Sequence, residues 1–276
     1  MTDEQDQTER APATPLLKAI LLEDPIESTR QTRALLEAGE DPNEIDTPFW
    51  DCPPLYIAWS ETNVEGKPSL VQLMLNHGAK AVPDEDHLEG LYMLNAPIEA
   101  TLLIFEAGHS FKEYLSFEEG ESIIRTGGGN PLTFFLEQGR FDLIEQLRKY
   151  DLMDLIDAFE ILTGWTPLNE MARDGDLKKT KWLLDQGADV NANSELWAGY
   201  TALDEAVSFC HLEIVKLLLE AGANPNIPTW MSNTVAERVQ DGYSFTEKPD
   251  HDPAAFEAIR SLVLEASKTF PPKTLG

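Results

Sequence analysis

The sequence predicts an all-α solenoid of stacked helix–turn–helix units joined by short β-hairpin loops. Three observations carry that prediction. The stretch from Gly164 to Asn191 returns without a gap, 35 positions later, as Gly199 to Asn226. Within both copies the start and stop signals of two short helices recur at the same offsets. Finally, no apolar run approaches the ~20 residues needed to span a bilayer. The tract ILTGWTPL from Ile161 to Leu168 is broken by Gly164 and Pro167.

In chain order, residues 1–13 read as an acidic, disordered N-terminal tail. They hold no basic run followed by an apolar stretch, so they are not a secretory signal. A first unit near 14–46 has Pro15, Leu16, Ala19, Gly39 and Asn43 in register, with about three extra residues between its helices. A second, near 53–82, has its inter-helix turn lengthened around Glu65-Gly66-Lys67-Pro68. A third, near 87–111, rests on spacing: Leu102 to Gly108 as second helix, roughly His87 to Asn95 as first. The fourth, near 130–155, restores the pattern in NPLTFFLEQGRFDLIEQLRKY but lacks the terminal Gly-Ala. The fifth (164–193) and sixth (199–228) are the strong copies. Thr166 is placed to cap a helix, and Pro167 stands in its first turn, where a missing N–H costs nothing. Met171 and Ala172 share a helical face with Leu168. Gly187 sits where a helix C-cap takes a left-handed residue. The seventh unit, 233–268, begins at Thr234, carries a polar insertion from Asp241 to Pro253 and reads as a C-terminal cap; 269–276 form a tail.

The motif G-x-T-P-L, followed by two helices and L-L-x-x-G-A-x-x-N, resembles the ankyrin repeat. The resemblance implies one ankyrin-repeat domain over 14–268. It also implies a non-catalytic protein-binding role and partner contacts made by the loops and the concave helix face.

Forty-nine Asp and Glu against 21 Lys and Arg give a formal net charge of −28. Such a surface repels phosphate backbones and anionic lipids. Nucleic acid and membrane are therefore excluded as partners, and a protein with a basic surface is favoured. Residues 1–160 carry −21 of the −28, so a basic partner would be steered mainly to the first half. Cys52 and Cys210 stand far apart without a Cys or His motif, which excludes a disulfide framework or zinc site and indicates a cytoplasmic protein.

Chemistry is sought and not found. His77, His87, His109, His211 and His251 share no metal-ligand spacing. His211 reads as a turn histidine, and His77 precedes a helix-ending glycine. Gly127-Gly128-Gly129 lacks the Lys-Ser/Thr and preceding strand of a phosphate loop, so it reads as a tight turn. Cys210 occupies a turn position that usually carries glycine, with no base or orienting group apparent. Asp151, Asp154, Asp157 and Glu160 repeat every three residues, as an acidic ridge on a helix would. Asp84-Glu85-Asp86 and Glu118-Glu119 with Glu121 fall in expected loops, without calcium-loop spacing. No catalytic, metal or cofactor residue is assigned.

Binding candidates lie on the loops instead. Asp46, Phe49, Trp50 and Asp51 mark the first loop, Glu195, Leu196, Trp197 and Tyr200 the loop between the strong copies, and Trp230 and Met231 the next. Tryptophan and tyrosine favour such anchoring, although these rings can equally pack on neighbouring repeats. Arg173, Asp174, Ser208 and Phe209 sit near the inter-helix turns. Together these features suggest a protein-interaction module with an acidic concave face, most sharply an immunity-type or antitoxin-like inhibitor of a basic toxin or nuclease. The alternative is a cytoplasmic adaptor that inhibits nothing.

Overall fold

At Thr14, Asn130, Thr166, Thr201 and Thr234 a hydroxyl or amide side chain closes the first turn of a helix, whereas Pro53 and Pro97 precede helices without a side-chain cap. The structure is a computed structural model, described here for residues 14–44, 53–61, 69–81, 97–118, 120–124, 129–229, 232–241 and 253–270. The described residues fall into two compact units, one drawn from 1–113 with 145–151 and the other from 114–144 with 152–276.

In the first unit, Thr14 caps α1 (Pro15–Ile20), its Oγ1 accepting from Leu17 N at 3.2 Å. Asp24 caps α2 (Pro25–Glu37) in the same way. These are followed by α3 (Pro54–Ser60), α4 (Ser69–Asn76) and α5 (Ile98–Glu106). α1 packs on α2 and α3, α2 on α4, and α4 on α5. Leu17, Ile20, Leu55, Trp59, Leu70, Met74 and Ile104 are fully buried. Among these apolar groups lies His109, whose Nδ1 is 3.2 Å from both the Ala81 carbonyl oxygen and the Tyr56 hydroxyl. Burial pushes its pKa down to about 4.

The second unit opens with an antiparallel hairpin, β1 (Leu115–Glu118) and β2 (Glu121–Ile124), in the register Leu115↔Ile124 to Glu118↔Glu121. α6 (Pro131–Glu137) follows, and then α7 (Phe141–Leu147), whose residues from Glu145 onward count with the first unit. β3 (Phe159–Glu160) then pairs with β2 in parallel, giving the order β1-β2-β3. The expectation that Glu118 and Glu121 lie in a loop is therefore corrected: both are strand residues, held by the burial of Ile123 and Ile124 on the central strand. The acidic ridge is corrected too. Asp151 turns left-handed at φ 66°, Leu152–Leu155 is a 3₁₀ turn and Glu160 is on a strand, so these carboxylates share no helix.

Three more helix pairs follow, the first two the more regular: α8 (Pro167–Asp174) with α9 (Leu177–Asp185), then α10 (Ala202–Ser208) with α11 (Leu212–Glu220). These are followed by α12 (Val235–Gln240) and α13 (Pro253–Ser267). Thr166, Thr201 and Thr234 cap α8, α10 and α12, the last two in capping boxes with Asp204 and Glu237. First helices pack on first helices (α6, α8, α10, α12) and second on second (α9, α11, α13). Gly187 and Gly222 end α9 and α11 at φ 94° and 95°, in the left-handed region the sequence requires there.

A side-chain clip recurs in both units. Asn43 donates from Nδ2 to the Gly78 carbonyl at 3.1 Å and accepts from Lys80 N at 2.8 Å. Asn191 does the same to Gly222 and Asn224, at 3.2 and 2.7 Å. Each clip ties the end of one repeat to the backbone of the next. Among the described residues no helix is long and apolar enough to cross a membrane.

Candidate partner-binding site

Asp157 stands where the next clip would need asparagine. Its Oδ1 accepts from Asp189 N at 2.9 Å, the counterpart of the Asn191–Asn224 bond. A carboxylate supplies that acceptor but has no donor for Gly187, the counterpart of Gly222. Burial raises the Asp157 pKa, and the neighbouring Asp189 charge adds to the rise, while the bond from Asp189 N opposes it.

Asp157 faces a cleft of about 520 Å³ formed by the β2–β3 end of the sheet, the 3₁₀ turn and the loop after α9. Among the described residues five carboxylates line it, those of Glu121, Asp154, Asp157, Asp189 and Glu195, and no lysine or arginine does. Met153, Ile156, Phe159 and Ile227 supply apolar lining between them. Glu121 fixes the far wall, accepting from the Ser194 hydroxyl and, at 2.7 Å, from Glu195 N. The arrangement suits a long cationic side chain, with apolar surface for its methylene stem and carboxylates for its head.

A second cluster lies on the first helices. The Arg173 guanidinium stacks over Trp165 at 4.4 Å and Phe209 at 5.2 Å. His211 Nε2 donates to the Arg173 carbonyl at 2.8 Å, so this nitrogen carries its proton, and the His211 ring stacks on Phe209. Beside them Glu205 is buried and Glu170 half-buried. Burial raises each to about 7; Glu160, Glu137 and Asp174 add to the rise at Glu170, while Arg173 opposes it at Glu205. Burial, and then Asp174, raise Glu137 as well.

The predicted residues divide accordingly. Arg173 and Phe209 are in contact, with exposed Asp174 and half-buried Ser208 on the neighbouring turns. Glu195 lines the cleft. Leu196 is half-buried, its N–H donating to Ser194 Oγ at 3.1 Å. The Trp197 ring leans on Phe159 at 6.4 Å between centroids and lies against Gly164, where any Cβ would fall 2.5 Å from Trp197. The Tyr200 carbonyl accepts from Asn169 Nδ2, and its ring lies under Arg238. Asp46, Phe49, Trp50, Asp51, Trp230 and Met231 lie outside the described residues. Sequence reading missed Glu121 and Asp189 as site residues and placed Asp157 on a helical ridge. The available signal was an aspartate standing 34 positions before Asn191 in a repeat that ends in asparagine. Among the described residues no group of three or more His, Cys, Asp and Glu could hold a metal ion.

A family model for ankyrin repeats, in three copies, matches residues 132–229. Two Arabidopsis thaliana proteins, phytochrome-interacting ankyrin-repeat proteins 1 and 2, are 72% and 69% identical to the chain over 29 residues. That span is 10% of this chain and 17% of each of these curated relatives. Among solved structures, the ankyrin repeat domain of Bcl-3, a member of the IkappaB family, superposes with TM-score 0.60 at 18% identity, covering 91% of this chain and 98% of that one. The human ASB11 ankyrin repeat domain gives 0.58 at 16%, over 92% and 98%. An ankyrin repeat domain from Acinetobacter baumannii gives 0.52 at 23%, over 77% and 97%. At these identities the structural likeness carries the fold.

Proposed function

Residues 132–229 belong to the ankyrin-repeat family and the chain has that family's fold, and from this premise we propose a protein-interaction module that takes a partner with a basic surface. The observation that carries the reading is Asp157. A carboxylate replaces the clip amide, inside a cleft lined among the described residues by five carboxylates and no cation. Retaining charge where the fold prefers an amide is intelligible if the charge is used in binding. The cleft then receives a partner lysine or arginine, and the Arg173–Phe209–Trp165 stack offers a rigid aromatic contact on the first-helix face.

In its sharpest form the module is a stoichiometric inhibitor, of immunity or antitoxin type, that covers the basic groove of a toxin or nuclease in the cytoplasm. Such a role needs a surface and no catalytic group. The formal net charge of −28 supports the basic partner and argues against nucleic acid or an anionic membrane as ligand. Deleting the gene should harm growth only while that one partner is expressed. With the partner purified, Asp154→Asn with Asp157→Asn should weaken binding about tenfold and flatten its salt dependence. Affinity that ignores both changes and is the same at low and high salt would sink the reading.

A further inference from the structure

The two outer edges of the small sheet differ. At β3, the following turn closes the edge: Glu160 N donates to the Trp165 carbonyl at 2.9 Å and Gly164 N to the Glu160 carbonyl at 2.8 Å. At β1, among the described residues, only β2 pairs with the strand. Glu118 and Glu121 flank a two-residue loop, so they form the closing pair that exchanges both ladder hydrogen bonds. Alternation then turns the N–H and C=O of Leu115 and Phe117 away from β2. Protein edges are usually blunted with lysine, proline or a bulge. β1 reads Leu-Ser-Phe-Glu, has none of these, and leaves Phe117 74% exposed.

We propose that the outer edge of β1 is a strand-docking site for an extended lysine- or arginine-bearing segment of a protein partner, seated on the main chain of Leu115 and Phe117. Another strand satisfies those outward groups in full, as in recognition by β-augmentation. Charge selects the occupant. The hairpin sequence Glu118-Glu119-Gly120-Glu121 is acidic, and a second copy would bring the same charges and another −28 against it. A basic segment meets no such repulsion. The site is also continuous with the acidic cleft, because Gly120, Glu121 and Ser122 of the same hairpin line it. The proposal extends the basic-partner reading but rests on backbone geometry that the cleft does not supply.

The test uses the full chain and an acetylated, amidated eight-residue peptide of alternating lysine and valine. Fluorescence anisotropy should show binding, and hydrogen exchange should slow at the Leu115 and Phe117 amides. Methylating two adjacent central amide nitrogens, one on each edge of the peptide, should weaken binding at least tenfold with the protein unchanged. Phe117→Pro removes an outward N–H and should do the same; Phe117→Lys keeps that N–H and should also weaken binding, by charge. Binding that survives methylation and Phe117→Pro but is lost in Asp154→Asn with Asp157→Asn would overturn strand docking and leave the basic-partner reading standing. Equal binding of a glutamate–valine peptide, with protection at Leu115 and Phe117, would overturn the basic occupant. A dimer in sedimentation that Phe117→Pro dissolves would assign the edge to a second copy and overturn the proposal as stated.

Discussion

At Cys210 the backbone is left-handed, with φ 57°, a conformation that costs an L residue roughly 1–2 kcal/mol. Its counterpart one repeat earlier, Gly175, holds φ 79° without that cost. The Cys210 thiol is half-exposed, and burial raises its pKa, which keeps it protonated and unreactive. Nothing in this geometry calls for cysteine. Cys210→Gly relieves the strain but gives the unfolded chain more freedom, so the net gain is about 0.5–1 kcal/mol, or ~2 °C in melting temperature. Differential scanning calorimetry checks it, and a lower melting temperature would mean that the side chain contributes packing that outweighs the strain. Trp197 makes the complementary case. Its ring is half-buried over Gly164 and Phe159, so Trp197→Ala should cost stability whether or not a partner touches it, and binding assays on that variant need a folding control.

The asparagine clip is an element-scale device, and its charged version at Asp157 yields a direct prediction. Asp157→Asn should restore the missing donor to Gly187 and remove a partly desolvated carboxylate. Stability should rise by about 1 kcal/mol in urea unfolding, while affinity for a basic partner falls. If stability falls, the clip comparison with Asn43 and Asn191 is wrong. The helices were legible in the sequence because capping chemistry is local: Thr166, Thr201 and Thr234 each close a helix start that their neighbours alone specify. The sheet was not legible. β2 is central, so adjacent Ile123 and Ile124 are both buried and the alternation that marks a half-exposed strand is absent. Nor was the cleft, because its carboxylates come from three separate stretches of a chain that holds 49 acidic residues. In such a background no single acid stands out until folding brings the five together.

Across the whole molecule, protons should act on the two units in opposite directions. In the second unit Glu170 and Glu205 have folded pKa values of about 7 against an ordinary value of 4.5, and Glu137 and Asp157 are also raised. These groups bind their protons more tightly when folded, so stability is gained as pH falls from about 7 toward the unfolded value. In the first unit His109 runs the other way. Its folded value of about 4 lies below the ordinary 6.5, so the unfolded chain takes up the proton first, and stability is lost as pH falls through 6.5 toward 4. Between pH 7.5 and 5.5 these values correspond to about 1 kcal/mol at His109 and about 2 kcal/mol at each of Glu170 and Glu205. Hydrogen exchange by mass spectrometry, corrected for the intrinsic pH dependence of amide exchange, should show α8 and α10 opening less readily at pH 5.5 and α3 and α5 more readily. Glu170→Gln with Glu205→Gln should remove most of the gain in the second unit, and His109→Phe should abolish the loss in the first. Parallel shifts in both units would show that the general relief of the −28 charge, and not these buried groups, governs the response. The same titration bears on binding, because protonating Glu170 and Glu205 removes charge from the first-helix face that a basic partner would meet. A partner that docks there should therefore leave as pH falls through 7, even while the unit that holds it becomes harder to unfold.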